Sequence, residues 1–505
     1  MRGVHTYVND IRRNVFTEVA RLAFEGGDYS RISSLPYKII PGEVATHREN
    51  IFLERAIVAE RLRLAIGLPL RSIEEHAPVD DGIEESAIAE KYFDPPLINI
   101  IPYACNACPT KRVVVTDLCQ GCLAHPCREV CPRDAISVIK GNKSEIDQDK
   151  CIKCGKCIEQ CPYNAIVKIE RPCAAACGMD AIESDEHGRA RINYDKCVSC
   201  GMCLVNCPFS AIVDKSQIFQ LIHSIKAGDE VVAELAPAFV GQFGPDATPS
   251  RIIQALKNIG FADVVEVAVG ADLCTIEEAH DFIENVPENQ PFMATSCCPS
   301  WSVMAKKTFP TLASNISMAL TPMVLTARLI KKERPNAKVV FIGPCAAKKL
   351  EASRRSVRSD VDFVLTFEEL QGVFDAKDIN FAEIPDDPEQ DFKDGTGAGR
   401  GFAVSKGVAA AVVEAIKEID PDREVLIDSA DGLKECKKML QLARAGKRNG
   451  YLLEGMACPG GCIAGAGTIT PVIKSVNAVG KYAKSAQEQS AMDSDYAHRL
   501  EELHD

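Results

Sequence analysis

The sequence has no run of apolar residues that approaches the roughly 18 or more of a membrane-spanning helix. It also has no excess of positive charge, since 58 Lys and Arg stand against 71 Asp and Glu, for a net charge of −13. Phosphate contacts need clustered Lys and Arg, so this balance argues against nucleic acid as a partner. We therefore expect a soluble chain of roughly two to four domains that binds neither membrane nor nucleic acid.

A recognisable export signal is also lacking. The twin arginine Arg12-Arg13 suggests one, but Glu18 and Arg21 interrupt the following apolar segment and no small-residue cleavage site appears. An ordinary amphipathic helix is the favoured interpretation. The 23 cysteines are then not a secreted disulfide framework, and we expect reduced thiolates that bind metal in a cytoplasmic protein.

Sixteen of these cysteines lie between Cys105 and Cys207, where one short phrase recurs as "CPRDAI", "CPYNAI", "CGMDAI" and "CPFSAI". The complete run C-x2-C-x2-C-x3-C-P begins at Cys151 and again at Cys197. This run is the bacterial ferredoxin signature, in which three close thiolates hold one four-iron cluster and the fourth ligates the other cluster. A zinc ribbon needs only C-x2-C pairs and leaves the remaining cysteines of each run unexplained.

The crossover rule predicts four groups of four ligands, with two to four relay clusters in total and four favoured. The predicted groups are Cys151, Cys154, Cys157 with Cys207; Cys197, Cys200, Cys203 with Cys161; Cys119, Cys122, Cys127 with Cys177; and Cys105, Cys108, Cys173 with Cys131. The last two groups are less regular, because Gly follows Cys177 and His125 offers an alternative ligand. Such a row of clusters indicates single-electron transfer. The alternative is that the clusters only stabilise a weak hydrophobic core.

The regions on either side of the cysteine repeat differ in pattern. We expect a helical region at 1–95, a ferredoxin-like α+β relay at 96–215, an α/β catalytic domain with partly parallel sheets at 216–475 and a helical tail at 476–505. Strand-like runs such as "EVVAEL" and "AKVVFIG" alternate with helical ones in the third region. The segment "DGTGAGRGFAVSKG" fits no nucleotide fingerprint and predicts a turn and a helix start.

Seven cysteines remain in the second half. Cys274 and Cys436 predict buried apolar positions, whereas the other five lie in "SCCPSW", "IGPCAAKK" and "EGMACPGGCIAGAG". Neighbouring side chains leave the backbone in different directions, so Cys297 and Cys298 are expected to have two different tasks. Cys458 and Cys462 are four apart and predict one helical face near a helix start, where free amides favour an anionic cluster.

These three motifs, in this order after a ferredoxin-like repeat, resemble the FeFe hydrogenases over roughly residues 100–475. The resemblance implies an H-cluster, a four-iron cube joined by a cysteine to a two-iron unit with CO, cyanide and azadithiolate. It places Cys298, Cys345, Cys458 and Cys462 on the cube, with Cys462 as the bridge, and makes Cys297 a proton carrier. Lys348 would hydrogen-bond a cyanide, with a solvated surface lysine as the alternative, and Pro237 and Met456 would line the two-iron pocket.

The family's outward proton path implies Glu278, Ser317 and Asp281 here, with exposed helix carboxylates as the alternative. Asp281 stands where the family pattern leads us to expect Glu. The sequence also departs from the best-known members at Gly343, Ala238 and Met323, where Met, Ser and Gln are often found. These changes remove polar or bulky neighbours of the two-iron unit and indicate a divergent subgroup.

The resemblance implies an enzyme that interconverts H2 with protons and electrons, exchanging electrons with ferredoxin or a similar redox protein after maturation proteins have supplied the two-iron unit. No flavin or nicotinamide fingerprint is present, so direct use of NADH is not expected. Two alternatives are an H2-sensing regulator, for which no output module is seen after residue 475, and a non-enzymatic iron-sulfur assembly protein.

Overall fold

The computed structural model describes residues 4–504. Its first region is helical, as expected, and the helices are α1 (Tyr7–Glu25), α2 (Leu35–Ile39), α3 (Ile51–Ala65) and α4 (Ile83–Ser86). Helix α1 has a capping box at Thr6 and ends at Gly26, whose φ of 69° breaks the helix. The predicted helix is confirmed, but its middle is buried on all sides from Val15 to Ala20 rather than on one face.

The cysteine-rich region consists of short antiparallel strand pairs and single-turn helices. Its strands are β1 (Ile98–Ile100), β2 (Arg112–Val115), β3 (Ile136–Val138), β4 (Ser144–Ile146), β5 (Ile166–Ile169), β6 (Ile182–Ser184), β7 (Ala190–Ile192) and β8 (Ile212–Asp214). Its helices are α5 (Pro126–Glu129), α6 (Lys156–Glu159), α7 (Pro172–Ala175) and α8 (Met202–Asn206).

Strand pairing divides this region into two units, one inside the other. β2 pairs with β5 and β3 with β4, so 112–169 form one unit. β1 pairs with β8 and β6 with β7, so the second unit is built from chain on both sides of the first. The inner unit, 112–169, lies in sequence between the "CNAC" that begins at Cys105 and the "CAAAC" that begins at Cys173. This insertion explains why neither motif forms a complete ferredoxin run in the sequence.

The third region alternates strands and helices. Its strands are β9 (Val231–Leu235), β10 (Asp263–Glu266), β11 (Phe292–Ala294), β12 (Lys338–Gly343), β13 (Phe363–Thr366), β14 (Leu426–Asp431) and β15 (Tyr451–Met456). Its helices are α9 (Ile218–Ala227), α10 (Pro249–Ile259), α11 (Ala268–Asn285), α12 (Pro299–Thr308), α13 (Pro322–Glu333), α14 (Ala347–Glu351), α15 (Phe367–Ala376), α16 (Gly397–Gly401), α17 (Gly407–Ile419), α18 (Leu433–Arg444) and α19 (Val472–Lys484).

Two parallel sheets organise these elements, one in the order β10-β9-β12-β13 and the other β11-β15-β14. The neighbouring strands within both sheets all pair in parallel. The apolar runs of β9 and β12 are buried along their length, as parallel strands covered on both faces require. The α/β prediction is confirmed at this level.

The glycine-rich segment forms the short helix α16, capped by Thr396, whose side chain accepts a hydrogen bond from the amide of Gly399. A Cβ on Gly399 would lie 2.4 Å from the carbonyl oxygen of Ala268. Glycine is therefore needed here for close packing on α11, and the predicted turn and helix start is confirmed.

The remaining chain continues through α19 into short 3-10 turns. The predicted domain boundary at 475/476 falls inside α19, so it is wrong by several residues. The apolar face of α19, which includes the buried Val479, packs with the main core rather than forming a separate tail. Among residues 4–504 no helix combines the length and apolar character needed to cross a membrane.

Candidate metal centre

The three late cysteine motifs all follow the carboxyl ends of parallel strands. "SCCPSW" comes directly after β11, "GPCAAKK" after β12 and "ACPGGC" after β15, while Pro237 follows β9. Ligand sites of open α/β sheets form outside the carboxyl ends of strands. Here the ends of two different sheets contribute to one site.

The loops border a cavity of about 90 Å³. Its wall includes every residue that the resemblance placed at the H-cluster. These are Cys297, Cys298, Cys345, Cys458, Cys462, Lys348, Pro237 and Met456. The structure therefore brings together side chains that are up to 225 residues apart in sequence, a proximity that only the resemblance had implied.

The loop after β11 is held by Trp301, which is fully buried. Its indole nitrogen donates a hydrogen bond to the carbonyl oxygen of Thr295 at 2.9 Å. Its ring packs on the strand β15 at Gly455, where a Cβ would lie 2.2 Å from the ring. Cys298 then serves as the N-cap residue of α12. Tryptophan and glycine thus fix the direction in which the paired cysteines leave the strand.

Cys458 and Cys462 do not share a helical face, so this prediction is wrong. Gly460 and Gly461 between them have φ values of 102° and 91°, which an α-helix does not accept. A Cβ on Gly461 would lie 2.5 Å from the amide nitrogen of Ser405. A tight glycine turn therefore presents the two cysteines, and Cys462 begins a 3-10 helix.

The cavity thiols have the character expected of ligands that require a cation. Burial raises the pKa of Cys298, and it raises that of Cys345 to about 11. Burial also raises the pKa of Cys462, with a further contribution from Cys298. Bound iron deprotonates a coordinating thiol outright by supplying the missing positive charge. The donor set of four cysteines around one cavity suits a four-iron cube.

Cys297 borders the same cavity but also faces a buried acid. Burial raises the pKa of its thiol well above the ordinary value, and Glu278 and Cys462 add to the effect. Glu278 is fully buried on α11, and its Oε1 accepts a hydrogen bond from the amide of Ser296 at 3.2 Å. Burial raises the pKa of Glu278 to about 8, while its hydrogen bonds to Ser296 and Ser317 oppose the rise. At neutral pH Glu278 therefore carries a proton that it can release.

The outer part of the predicted proton path is less compact. Ser317 is buried beside Glu278, whereas Asp281 is only half-buried, one turn along α11. Burial raises the pKa of Asp281. The sequence reasoning missed Glu277, which lies 3.5 Å from the imidazole of His504. Nothing in the sequence pattern linked the last residues of the chain to α11.

Lys348 is not a solvated surface lysine, because only 8% of it is exposed. Its ammonium forms an ion pair with Glu351 at 2.7 Å and lies 3.5 Å from the carbonyl oxygen of Cys297. Burial disfavours its charge, but Glu351 outweighs burial and the pKa of Lys348 lies above its usual value. A fixed ammonium therefore faces the cavity, where it can bind an anionic ligand.

One of the three departures from the family pattern, Gly343, has an explanation in packing. A Cβ on Gly343 would lie 2.5 Å from the ring of Phe341, so the ring fills the space of a larger side chain. Phe341, Ala238 and Met323 all line the cavity. The site is accordingly more apolar than the family pattern predicts.

The recurring phrase of the relay region has a common local structure. In each copy the alanine amide donates a hydrogen bond to the Sγ of the leading cysteine, at 3.3–3.4 Å, and the alanine is buried. The residue before each alanine has a φ near 50°, namely Asp134, Asn164, Asp180 and Ser210. Asp and Asn tolerate this left-handed conformation better than most residues. The repeat thus encodes one turn that presents one thiolate.

The predicted partners of the fourth cysteines are wrong. One cavity is lined by Cys119, Cys122, Cys127 and Cys161, a second by Cys131, Cys151, Cys154 and Cys157, and a third by Cys105, Cys108, Cys173 and Cys207. The remaining Cys177, Cys197, Cys200 and Cys203 lie within electrostatic range of one another. The crossover rule itself is correct, but it acts within each of the two units and not between them.

Each of these sites suits a four-iron cluster by its donor set. Among residues 4–504 no three His, Cys, Asp or Glu side chains meet at the position of a single metal ion. Four thiolates around a cavity instead suit a multinuclear cluster. The imidazole of His125 is hydrogen-bonded to the carbonyl oxygen of Asn142, and His125 lines none of these three cavities. It is therefore not placed as a cluster ligand.

Two further features escaped the sequence reasoning. Cys200 lines the same cavity as the five motif cysteines. A Cβ on its neighbour Gly201 would lie 2.5 Å from the Cβ of Ala466. The cysteine-rich region therefore contacts the wall of this cavity directly. Glu234 on β9 is completely buried, with no hydrogen-bond partner for either carboxylate oxygen among the described residues. Burial raises the pKa of Glu234 well above its usual value, which keeps the group neutral.

The fold and these sites define an iron-sulfur protein, in which ferredoxin-like units lie next to an α/β cluster-binding domain. Comparison with known families agrees. Residues 229–466 match the iron only hydrogenase large subunit, C-terminal domain; residues 144–167 match a 4Fe-4S binding domain; and residues 167–218 match the LdpA Fe-S cluster-binding domain.

Among individual relatives, iron hydrogenase 1 of Clostridium pasteurianum is 28% identical over 388 residues, which cover 66% of this chain and 67% of that protein. The cytosolic iron-sulfur assembly component 3 of Bos taurus is 26% identical over 287 residues, or 47% of this chain and 60% of that protein. An apo [FeFe]-hydrogenase HydA1 variant from Chlamydomonas reinhardtii aligns over 54% of this chain and 89% of that chain, with 23% identity and a TM-score of 0.45.

The chain thus spans about two thirds or less of the length of these curated relatives. The family model matches residues 229–466, a little under half of the chain, and this match confirms the resemblance to the iron-only, or FeFe, hydrogenases that the three motifs indicate.

Proposed function

We propose that this chain is an FeFe hydrogenase that interconverts H2 with two protons and two electrons. The observation that carries the proposal is the cavity wall, where five motif cysteines and the buried Lys348 meet, and where Cys297 also lies within electrostatic range of the buried acid Glu278. Four thiolates suffice for the cube, so the fifth is available for protons.

In this proposal Cys298, Cys345, Cys458 and Cys462 would hold the cube, and Cys462 would also join it to the two-iron unit. The H-cluster would supply the chemistry that combines protons and electrons. Lys348, held by its ion pair with Glu351, would bind an anionic cyanide ligand, and the apolar wall at Pro237 and Met456 would exclude water. Cys297 holds a proton at Sγ next to Glu278, which exchanges it toward Ser317 and Asp281.

Electrons reach the cavity through the four relay sites, of which the one held by Cys177, Cys197, Cys200 and Cys203 adjoins the cavity wall. We assign the exchange with the exterior to ferredoxin or a similar small redox protein, and insertion of the two-iron unit to maturation proteins, in the cytoplasm. The division into helical, relay and catalytic regions is part of the same proposal.

The test is hydrogen turnover by protein that has been matured with the two-iron unit. Reduced viologen or ferredoxin should yield H2, and H2 should reduce the oxidised carrier. An infrared spectrum of the same sample should show bands of iron-bound CO and cyanide. A sample that shows these bands but neither produces nor consumes H2 would refute the proposal and favour an H2-sensing protein.

The assembly-protein alternative rests on the similarity to the bovine component. It predicts a chain that binds four-iron clusters, acquires no iron-bound CO under maturation conditions and transfers clusters to an apo-ferredoxin. Loss of the infrared bands together with such transfer would favour this alternative. Cys297 and the buried Lys348 would have no task in a protein of that kind, whereas the hydrogenase proposal uses both.

A further inference from the structure

The relay site formed by Cys105, Cys108, Cys173 and Cys207 is surrounded by three arginines, two of which come from the N-terminal helical region. Arg48 donates hydrogen bonds to the carbonyl oxygens of Ala104 at 3.3 Å and Phe209 at 2.7 Å, which flank Cys105 and Cys207. Arg61 on α3 donates to the carbonyl oxygen of Ser210. Arg171 lines the cavity itself.

None of these three guanidinium groups forms an ion pair within residues 4–504, and their hydrogen bonds go to backbone carbonyls or to the hydroxyl of Ser184. Arg61 and Arg171 are each only 4% exposed. The Nε of Arg171 is buried without any partner in the described residues. Buried charges without a counter-charge cost free energy. The three arginines therefore suit an anionic group bound between the four cysteines that they surround.

The nearest carboxylates are occupied elsewhere. Glu54, on the same helix as Arg61, accepts hydrogen bonds from the backbone amides of Thr46, His47 and Arg48. Glu368 forms an ion pair with Arg12 at 2.6 Å. Burial lowers the pKa of Arg61 to about 9, so the group stays charged at neutral pH.

The other relay sites have no comparable charge. Apart from its cysteines, the cavity of Cys119, Cys122, Cys127 and Cys161 has no ionisable residue in its wall except Tyr163. At the cavity of Cys131 and Cys151 the cations are Arg133 and Lys156, both exposed and therefore screened by water. Near Cys197 the nearest cation is the exposed Lys307, whose ammonium contacts the carbonyl oxygens of Asp195 and Cys197.

A cluster becomes more negative by one charge on reduction, so nearby fixed positive charge favours its reduced form and raises its reduction potential. We propose that the cluster of Cys105, Cys108, Cys173 and Cys207 is the electron-storage site of the relay, made the most easily reduced of the four by Arg48, Arg61 and Arg171. The inference rests on the proposed relay. It gives the N-terminal region a function, which is to supply two of the three charges, Arg61 from α3 and Arg48 from the segment before it.

The test is a redox titration of the reconstituted full-length protein, followed by electron paramagnetic resonance, with dithionite as the one-electron donor. Cys108→Ser identifies the signal of this cluster. Wild-type protein should show that signal first as the potential falls. Arg61→Met should reduce the equilibrium constant for reduction about tenfold, which is about 59 mV for a one-electron couple. Arg61→Lys, which keeps the charge, should stay near wild type.

Lys156→Met is the matched control, because it removes an exposed charge beside the cluster of Cys131 and Cys151 and should leave that cluster's signal in place. Arg48→Gln is a second variant for the case that Arg61→Met fails to fold, and its shift should have the same sign. A signal that does not appear first in wild type, or an unchanged midpoint in both arginine variants with full iron content, would overturn the proposal. No hydrogen turnover enters the measurement, so it can fail or succeed independently of the proposed enzyme activity.

Discussion

At the scale of single residues, the adjacent Cys297 and Cys298 are separated in function by what surrounds each. Cys298 caps α12 among the other cavity thiols, whereas Cys297 lies within the electrostatic range of the buried Glu278. Two side chains that leave the backbone in different directions can thus contact metal and acid respectively. The sequence predicted that the two tasks differ, and the resemblance implied Glu278 on the proton path, but the burial of Glu278 became evident only from the fold.

Glu278 gives a pH dependence to the proposed proton path. Its pKa of about 8 means that it is protonated below that pH and ionised above it. H2 production should therefore fall as the pH rises through about 8, while H2 oxidation should rise, because only the carboxylate accepts a proton. Glu278→Gln should lower both rates at least about 10²-fold and remove this pH dependence. The measurement is the pH profile of each rate.

Glu288→Gln is the control for that profile, since Glu288 is an exposed carboxylate just after the end of the same helix. It should leave both the rates and the pH dependence as they are in wild type. An inflection near pH 8 that persists in Glu278→Gln would assign the titration to another group and contradict the role given to Glu278.

At the scale of elements, the sequence predicts the strand and helix order well because burial and period are local signals. The buried runs of β9 and β12 and the amphipathic pattern of α10 appear where expected. Helix α3 also forms, but it is buried on all sides from Ile57 to Ala65, charged residues included. The sequence did not predict the glycine turn before Cys462, because the four-residue spacing of Cys458 and Cys462 also matches a helix. The positive φ values of Gly460 and Gly461 depend on contact with a loop that is distant in sequence.

The cysteine grouping was predicted incorrectly for a similar reason. Spacing along the chain identifies which residues bind clusters, but a unit inserted between Cys108 and Cys173 separates ligands that share one cavity. Strand pairing between β1 and β8 is the feature that restores the connection. A single sequence carries no local signal for that pairing.

Because Trp301 packs against β15, adding one methyl group at Gly455 should lower the stability of the protein. Gly455→Ala would place a Cβ 2.2 Å from the indole ring, which the buried ring cannot avoid. We expect a loss of about 1–3 kcal/mol in stability and reduced iron content, because the loop of Cys297 and Cys298 moves with Trp301. Thermal unfolding and iron analysis provide the measurement.

Gly480→Ala is the matched control, since a Cβ at this position would meet no neighbour within 4 Å and the residue is exposed on α19. It should stabilise the protein by about 0.5–1 kcal/mol through helix propensity. Equal thermal midpoints for Gly455→Ala and wild type would show that the Trp301 contact does not position the loop.

At the scale of the whole molecule, the third and fourth relay sites and the cavity are in contact with one another. Cys173 and Cys207 pack in the same apolar cluster as Cys197 and Cys203, which joins the third and fourth sites. Ser300, two residues after Cys298, donates a hydrogen bond to the carbonyl oxygen of Val198 at 3.0 Å. The cavity loop and the last relay site are therefore mechanically linked as well as close.

The N-terminal helices are part of the same unit. Arg12 on α1 forms an ion pair with Glu368 at the start of α15, and its guanidinium lies 3.9 Å from Asp214 at the end of the relay. Lys349 contacts Asp214 and Glu369, each at 2.7 Å. This buried network joins the helical, relay and catalytic regions, so relative motion of the regions is opposed by the cost of exposing unpaired buried charges.

The most direct test of the division of labour between the two adjacent cysteines is the infrared spectrum of matured Cys297→Ala beside that of Cys298→Ala. We predict that Cys297→Ala keeps the bands of iron-bound CO and its full iron content while H2 production falls at least about 10²-fold. Cys298→Ala should lose the bands and the iron of the cube. Equal loss of iron and of bands in the two variants would contradict the account.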